Sequence, residues 1–418
     1  MPGRPIIELI RRDRQARRFL LAQGQSALGT GAGYVALLLI ALERLDSEWA
    51  VALVLLADYL PSMVLGPLAG AVADRWPRRR CMVVADLVRG AAFIGLAFSS
   101  SFELMLALAL VAGAGSALFV PAALSGIPDL VEAERVPAAI SAYSALNSLG
   151  YTLGPALAAL GAAVLDLQVV LALNGATFLA AAALVGTLRL RRPVARRPPE
   201  RAGSSLLTSA LEGARLLGHV PGATTLVLSA SWVVLLMGML NVAEPLLVTG
   251  ALGGGAVAFG VFVAVFGAGV ALGSVVSADS RSNASMVNRY VAGMTIVAIG
   301  LLALGVSPSI STAVAAAALV GFGDGLICVH QRLLLQRSVD ESVLGRVYGV
   351  VDSAASWAMG IAFLSAGAIA ATFGVRPLLL MSGSLMAIGA AATLWRLHGF
   401  AAKPRPVAVP VPDVAPAG

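Results

Sequence analysis

Charge is what this sequence has least of. Asp, Glu, Lys and Arg make up 12% of its 418 residues, about half the share of an ordinary globular domain. That excludes a soluble globular enzyme. With 58% apolar residues and a mean hydropathy of +0.88, a disordered chain is excluded too. Cysteine is nearly missing, and Cys81 and Cys328 alone build neither a disulfide framework nor a thiolate metal cluster. The three histidines, His219, His330 and His398, are too scattered for an imidazole metal site. No Walker-type phosphate loop occurs, which argues against ATP hydrolysis as a power source. No nucleophile–base pair stands out either, so the chain is not expected to be an enzyme or to carry a cofactor. Lysine is reduced to Lys403, so arginine carries the +7 net charge.

Long apolar runs take the place of all this. They lie at roughly 19–42, 50–73, 82–100, 103–125, 141–164, 167–189, 223–248, 256–278, 288–306, 309–331, 347–371 and 377–396. A membrane helix needs about 20 apolar residues, so the composition suffices for about twelve. A membrane barrel would alternate polar and apolar residues instead. The expected fold is an all-α membrane protein with twelve transmembrane helices. In a soluble protein, this much positive charge would suggest a nucleic-acid partner, but here its placement assigns it to topology. With the N-terminus inside, 26 of the 29 basic residues fall on the cytoplasmic side; only Arg44 and Arg376 fall outside, and Arg89 lies within a span. This asymmetry predicts an even number of spans and two cytoplasmic termini.

The first apolar run is too long for a signal-peptide core and reads as a retained helix. The expected organisation is a cytoplasmic segment at 1–18, a six-helix bundle at 19–189 and a cytoplasmic linker at 190–221. A second six-helix bundle follows at 222–398, then a disordered tail at 399–418. Within the linker, 204–218 suggests an amphipathic helix on the inner membrane surface. Six plus six helices around a basic middle loop is the layout of transporters built from two repeated halves.

Between the second and third runs stands Gly70-Ala71-Val72-Ala73-Asp74-Arg75-Trp76-Pro77-Arg78-Arg79-Arg80. It resembles the signature loop of the major facilitator superfamily, Gly-x-x-Ala-Asp-Arg-x-Gly-Arg-Arg, with Pro77 in place of a glycine. The resemblance implies a gating latch: Gly70 allows close helix approach, Asp74 meets a helix N-terminus of the other half, and Arg75, Arg78 and Arg79 supply charge. Arg78 and Arg79 are placed to pair with Asp129. The other reading is that these arginines only anchor topology. Phe19 to Gly29, Pro61 to Gly70, Ala85 to Arg89, Ile127 to Val131, Gln336 to Asp340 and Leu344 to Val347 are similar to the third drug:proton antiporter group of that superfamily. This group includes macrolide-efflux pumps and an enterobactin exporter. Gly150-Tyr151-Thr152-Leu153-Gly154-Pro155-Ala156-Leu157-Ala158-Ala159 resembles the antiporter motif Gly-x-x-x-Gly-Pro-x-x-Gly-Gly, which marks exporters in that family. Small residues one turn apart, followed by Pro155, predict a kinked, tightly packed helix.

Ionisable groups inside a membrane are costly and are functional candidates by default. Asp86 and Arg89 share a helix face at i,i+3, either as a proton-coupling pair or as a permanent structural pair. Asp58 stands three residues before Pro61, either as a proton carrier or as a water-lined helix-end group. Glu244 precedes Pro245, where the helix is expected to break, and is either a proton-coupling group or a residue near the outer interface. Asp324 sits within Gly321-Phe322-Gly323-Asp324-Gly325, and Asp352 could pair with Arg346. Relatives carry an acidic residue near the position of Thr30, and this chain has none between Asp13 and Glu43. A central cavity lined by Gln25, Tyr34, Asn147, Asn174, Trp232, Asn241, Phe262 and Trp357 would bind cargo by stacking and adaptable hydrogen bonds; for each aromatic, the other reading is lipid exposure or helix packing. The function expected is proton-driven export of an amphipathic small molecule by a monomer in a bacterial cytoplasmic (inner) membrane. A lysophospholipid-type flippase and a non-transporting sensor or scaffold are the alternatives.

Overall fold

The computed structural model describes residues 4–45, 47–190, 222–277, 283–338 and 341–397. Most of the linker at 190–221, including the stretch 204–218, and the tail at 399–418 lie outside the described residues. The helices are α1 (Arg4–Arg12), α2 (Arg14–Leu45), α3 (Trp49–Arg75), α4 (Arg78–Phe98), α5 (Phe102–Leu130), α6 (Val136–Ala162) and α7 (Leu167–Gly186). They continue as α8 (Ala223–Pro245), α9 (Ala256–Val276), α10 (Asn283–Val306), α11 (Ile310–Ser338), α12 (Glu341–Phe373) and α13 (Val375–Leu397). Ten helices among the described residues are long and apolar enough to cross a membrane. The described side chains of α3 give a shorter apolar stretch, Trp49–Leu65, beside that set, and α6, rich in small and polar residues, is outside it.

Local chemistry sets the helix ends. The segment before the first apolar run is itself helical. The Asp13 carboxylate accepts hydrogen bonds from the backbone N–H groups of Gln15 and Ala16 at 2.8 and 3.0 Å, which caps α2. The Ser101 hydroxyl caps α5 by accepting from Leu104 N–H at 3.2 Å. Gly374, at φ +87°, turns the chain between α12 and α13, a backbone conformation that a side chain disfavours. The expected break at Pro245 does not occur. The α-helix runs into Pro245 and continues as a wider π-turn over Leu246–Ala251. The wider turn accommodates the proline without ending the helix.

Packing follows one pattern twice. In the first half α2 packs on α6 and α7, α4 on α5 and α7, and α3 on α5. In the second half α8 packs on α12 and α13, α10 on α11 and α13, and α9 on α11. Six positions later in helix order, each of these five contacts recurs. The halves meet through α6 against α9 and α3 against α12, and these two contacts exchange under the same relation. The molecule therefore has a pseudo-two-fold arrangement of its halves.

Small residues make these contacts possible, because two helix backbones approach closely only where side chains are absent. A Cβ on Gly154 would lie 2.6 Å from Gly31 Cα, and one on Gly260 would lie 2.6 Å from Ala159 Cβ. Gly321 and Gly325 press on α9, and Gly323 on α10, so the glycines around Asp324 serve close packing within a regular helix.

Candidate functional site

The close contacts between halves gather at one end. Trp49 and Ala52 of α3 meet Gly367 of α12, Tyr59 meets Phe363 edge-on at 6.1 Å, and Thr152 and Ala159 of α6 meet Gly267 and Gly260 of α9. That end carries the short connections at residues 47–48, 163–166, 252–255 and 374. Toward the arginine-bearing end of the same helices, Ser148 of α6 and Ala271 and Ser274 of α9 border a cavity.

This cavity, of about 490 Å³, lies between the halves. Tyr34 of α2 and Tyr151 and Thr152 of α6 line it from one side; Asn241 and Glu244 of α8, Phe266 of α9 and Asp324 of α11 line it from the other. Two carboxyl groups thus face it, and none of its described lining residues is Lys, Arg or His. Glu244 is buried at 4% exposure, and its Oε1 accepts a hydrogen bond from the Tyr34 hydroxyl at 2.9 Å. That bond joins the two halves. Asp324 has the Cys328 thiol as a weak donor at 4.0 Å.

A smaller cavity of about 140 Å³ lies inside the first half, lined by Gln23, Ser26, Thr30, Arg89, Ser116, Phe119, Tyr143, Asn147 and Tyr151 among others. Arg89 pairs with the fully buried Asp86. Its guanidinium is sandwiched between the rings of Phe119 and Phe178, at 4.2 and 4.4 Å, a favourable cation–π arrangement. Asp58 lies within electrostatic reach of the same Arg89.

Of the residues expected to line a cargo cavity, Tyr34 and Asn241 line the large one and Asn147 the small one. The other five do not line either. Gln25 donates to the Thr177 carbonyl at 2.7 Å, tying α2 to α7. Asn174 is buried with its amide group against Gly33. Trp232 donates to the Leu385 carbonyl at 3.0 Å. Phe262 is in the core, and Trp357 is 61% exposed on α12. Asp352 is exposed as well, with Arg332 as an electrostatic neighbour; the Arg346 side chain lies outside the described residues. Tyr151, which borders both cavities, was not singled out, although it stands within the Gly150–Pro155 motif.

In the signature loop, Arg78 pairs with Asp129, whereas Arg79 donates to the Leu188 carbonyl at 3.0 Å. Arg75 is exposed. The surroundings of Gly70 and the side chain of Asp74 lie outside what is described. Gly150 and Gly154 seat α6 on α2, and the Pro155 carbonyl faces Gly260 across the halves. Among the described residues no group of three His, Cys, Asp or Glu is placed to hold a metal ion.

Comparison with known proteins fits this arrangement. The family model described as Major Facilitator Superfamily matches residues 19–362. Macrolide efflux protein A of Streptococcus pyogenes is 24% identical over 351 residues, covering 82% of this chain and 86% of the relative. The multidrug efflux pump Tap of Mycolicibacterium fortuitum is 26% identical over 377 residues, covering 85% and 89%. Among solved structures, a bacterial homologue of the human lysosomal transporter Spinster, in an inward-facing and unoccupied conformation, superposes with a TM-score of 0.71 at 16% identity. That match covers 93% of this chain and 98% of the other.

Proposed function

The chain belongs to the Major Facilitator Superfamily, and on that premise we propose that it exports a cationic, amphipathic small molecule by proton antiport. It is a multi-pass membrane transporter with efflux-pump homologues. The observation that carries the finer reading is the cavity between the halves, which presents Glu244, Asp324 and three aromatic rings and, among the described residues, no basic lining residue. A carboxylate in a cavity of low polarity recognises an ammonium group, and aromatic rings stack on the apolar body beside it. The same surface repels an anion, so a macrolide-like amine fits it better than a catecholate siderophore.

In this reading twelve helices span the bacterial cytoplasmic membrane: the ten apolar ones together with α3 and α6. Both termini are cytoplasmic, and the cavity opens toward the cytoplasm. The protein acts as a monomer by rocking its halves about the midplane cavity. The Gly70–Arg80 loop with Asp129 latches the inner face when the halves close there. Glu244 and Asp324 hold cargo or protons in turn, and Asp86, Arg89 and Asp58 form a second coupling group within the first half. Two carboxyl groups that release protons to the cytoplasm as cargo binds, and take up protons from outside as cargo leaves, would account for exchange.

The test uses inverted vesicles with an imposed pH gradient and a pH-sensitive dye. Ethidium and erythromycin should each release protons from wild-type vesicles, and a catecholate siderophore should not. Transport that persists unchanged after the proton gradient is collapsed would sink the antiport reading. Proton release by the siderophore alone would sink the cationic one.

A further inference from the structure

We infer that the smaller cavity is a water-filled side chamber that carries protons from the central cavity to the Asp86–Arg89 pair. The inference rests on the proton-coupled reading but names a route that the central cavity alone does not contain.

The chamber is built for hydrogen-bond acceptors of the size of water. Its wall carries the hydroxyl groups of Ser26, Thr30, Ser116, Tyr143 and Tyr151. Two N–H donors in that wall, Gln23 Nε2 and Arg89 Nε, have no protein partner. Gln23 is only 6% exposed, and the Arg89 side chain 11%. Both atoms are closed to water in this conformation, and a chamber water that reaches them as the side chains shift supplies the acceptor they lack. A cavity of about 140 Å³ has room for several water molecules, each taking about 30 Å³ in the liquid. An inorganic anion fits less well, because Asp86 and Asp58 already balance Arg89 with two carboxyl groups.

Position makes the chamber a route. Tyr151 borders it and the central cavity alike. Arg89 borders the chamber as well; its ion-pair partner Asp86 is fully buried beside it, with the Oδ2 atom lacking a protein partner. The titratable and charged groups acting here are Asp86 and Arg89 on α4, Asp58 on α3, and Tyr143 and Tyr151 on α6. The residues facing in from α2 and α5 are neutral, as is Phe178 on α7. A proton handed along O–H···O bonds ends on Asp86 Oδ2, where one O–H bond forms and the carboxylate becomes a neutral acid. Arg89 keeps its place between Phe119 and Phe178 but loses its ionic partner. The remaining carboxyl group within its reach is Asp58. Proton uptake thereby moves the partner of Arg89 from α4 to α3, a helix that faces the other half.

The experiment is a pH jump on the full chain in liposomes, with a photolysed caged proton and time-resolved infrared detection. The Asp86 signal is the carboxylic acid C=O band that disappears in Asp86→Asn. In Ser116→Leu and Gln23→Leu, which fill the chamber without touching the central cavity, that band should rise at least tenfold more slowly, with the Glu244 band unchanged. An Asp86 band that rises at the wild-type rate in both variants overturns the route. So does a wild-type protein with no Asp86 band, because the pair is then permanent. Radiolytic hydroxyl labelling of the wild type, which marks side chains beside bound water, should label Tyr143 and Phe119; absence of label there overturns hydration of the chamber. If the band behaves as expected and vesicles still show no exchange of cargo for protons, the antiport reading fails and the chamber stands.

Discussion

At the scale of single residues, the Tyr34–Glu244 hydrogen bond separates two properties that substitution can take apart. Tyr34→Phe removes the donor and leaves a buried acceptor at the joint between halves. That costs about 1–3 kcal/mol in the state where the halves touch at this end, and little in a state where the groups face water. Spin-label distances across that end should shift toward the open form by about tenfold in population, since about 1.4 kcal/mol is a factor of ten. Glu244→Gln keeps an oxygen for Tyr34 and loses the charge. Binding of ethidium should weaken at least tenfold, while an uncharged analogue of similar size binds as before; equal losses for both would remove Glu244 from cation recognition. Asp86→Ala is different in kind. It takes away the bonded carboxylate of Arg89, leaving only the unbonded Asp58 within electrostatic reach, and breaking a buried pair in this way costs up to about 3–5 kcal/mol. The double variant Asp86→Leu with Arg89→Met should recover much of that loss in thermal unfolding.

At the scale of elements, α6 holds the two halves in register because opposite faces of it do different things. Gly150 and Gly154 press on α2, while Thr152, Pro155 and Ala159 meet α9. Gly161 on the same helix has only a side-chain methyl of Val170 at 3.5 Å. Gly154→Ala should therefore destabilise the protein by about 1–3 kcal/mol through overpacking. Gly161→Ala should be neutral or stabilise it by about 0.5–1 kcal/mol, through helix propensity. Unfolding midpoints of the two variants in one detergent decide the matter, and similar midpoints would mean that the backbone contact at Gly154 carries no strain when filled. This contrast was half legible in the sequence. The glycine spacing marked a packing face, but which helix it met depends on fold topology that local pattern does not encode. The same limit explains the cargo residues. A span that is apolar all round has no hydrophobic stripe to show its inward face, so Trp357, exposed on α12, and Trp232, bonded to Leu385, were as plausible for the cavity as Tyr34. Helix positions were easier to read, because an apolar run some 20 residues long has few other folded forms. Pro245 misled, since a π-turn absorbs a proline without a break.

At the scale of the whole molecule, the repeated packing pattern makes one mechanical demand. If the halves are alike and meet through two exchanged helix pairs, α6 with α9 and α3 with α12, a rocking motion that opens one end must separate both pairs there. Fixing either pair at the closed end should then stop the cycle. Tyr59 of α3 and Phe363 of α12 are in edge-on contact, with ring centroids 6.1 Å apart. Replacing both with cysteine, in a background where exposed Cys328 is serine and buried Cys81 is kept, allows a short reversible thiol cross-linker to join them. The cross-linked protein should still bind ethidium if, as proposed, the cavity opens at the other end. Its transport should fall to background and return when a reductant cuts the link. Transport that continues with the link fully formed would show that the halves do not part at α3 and α12. Loss of binding along with transport would show instead that cargo enters from the closed end, which would reverse the proposed direction of the cavity.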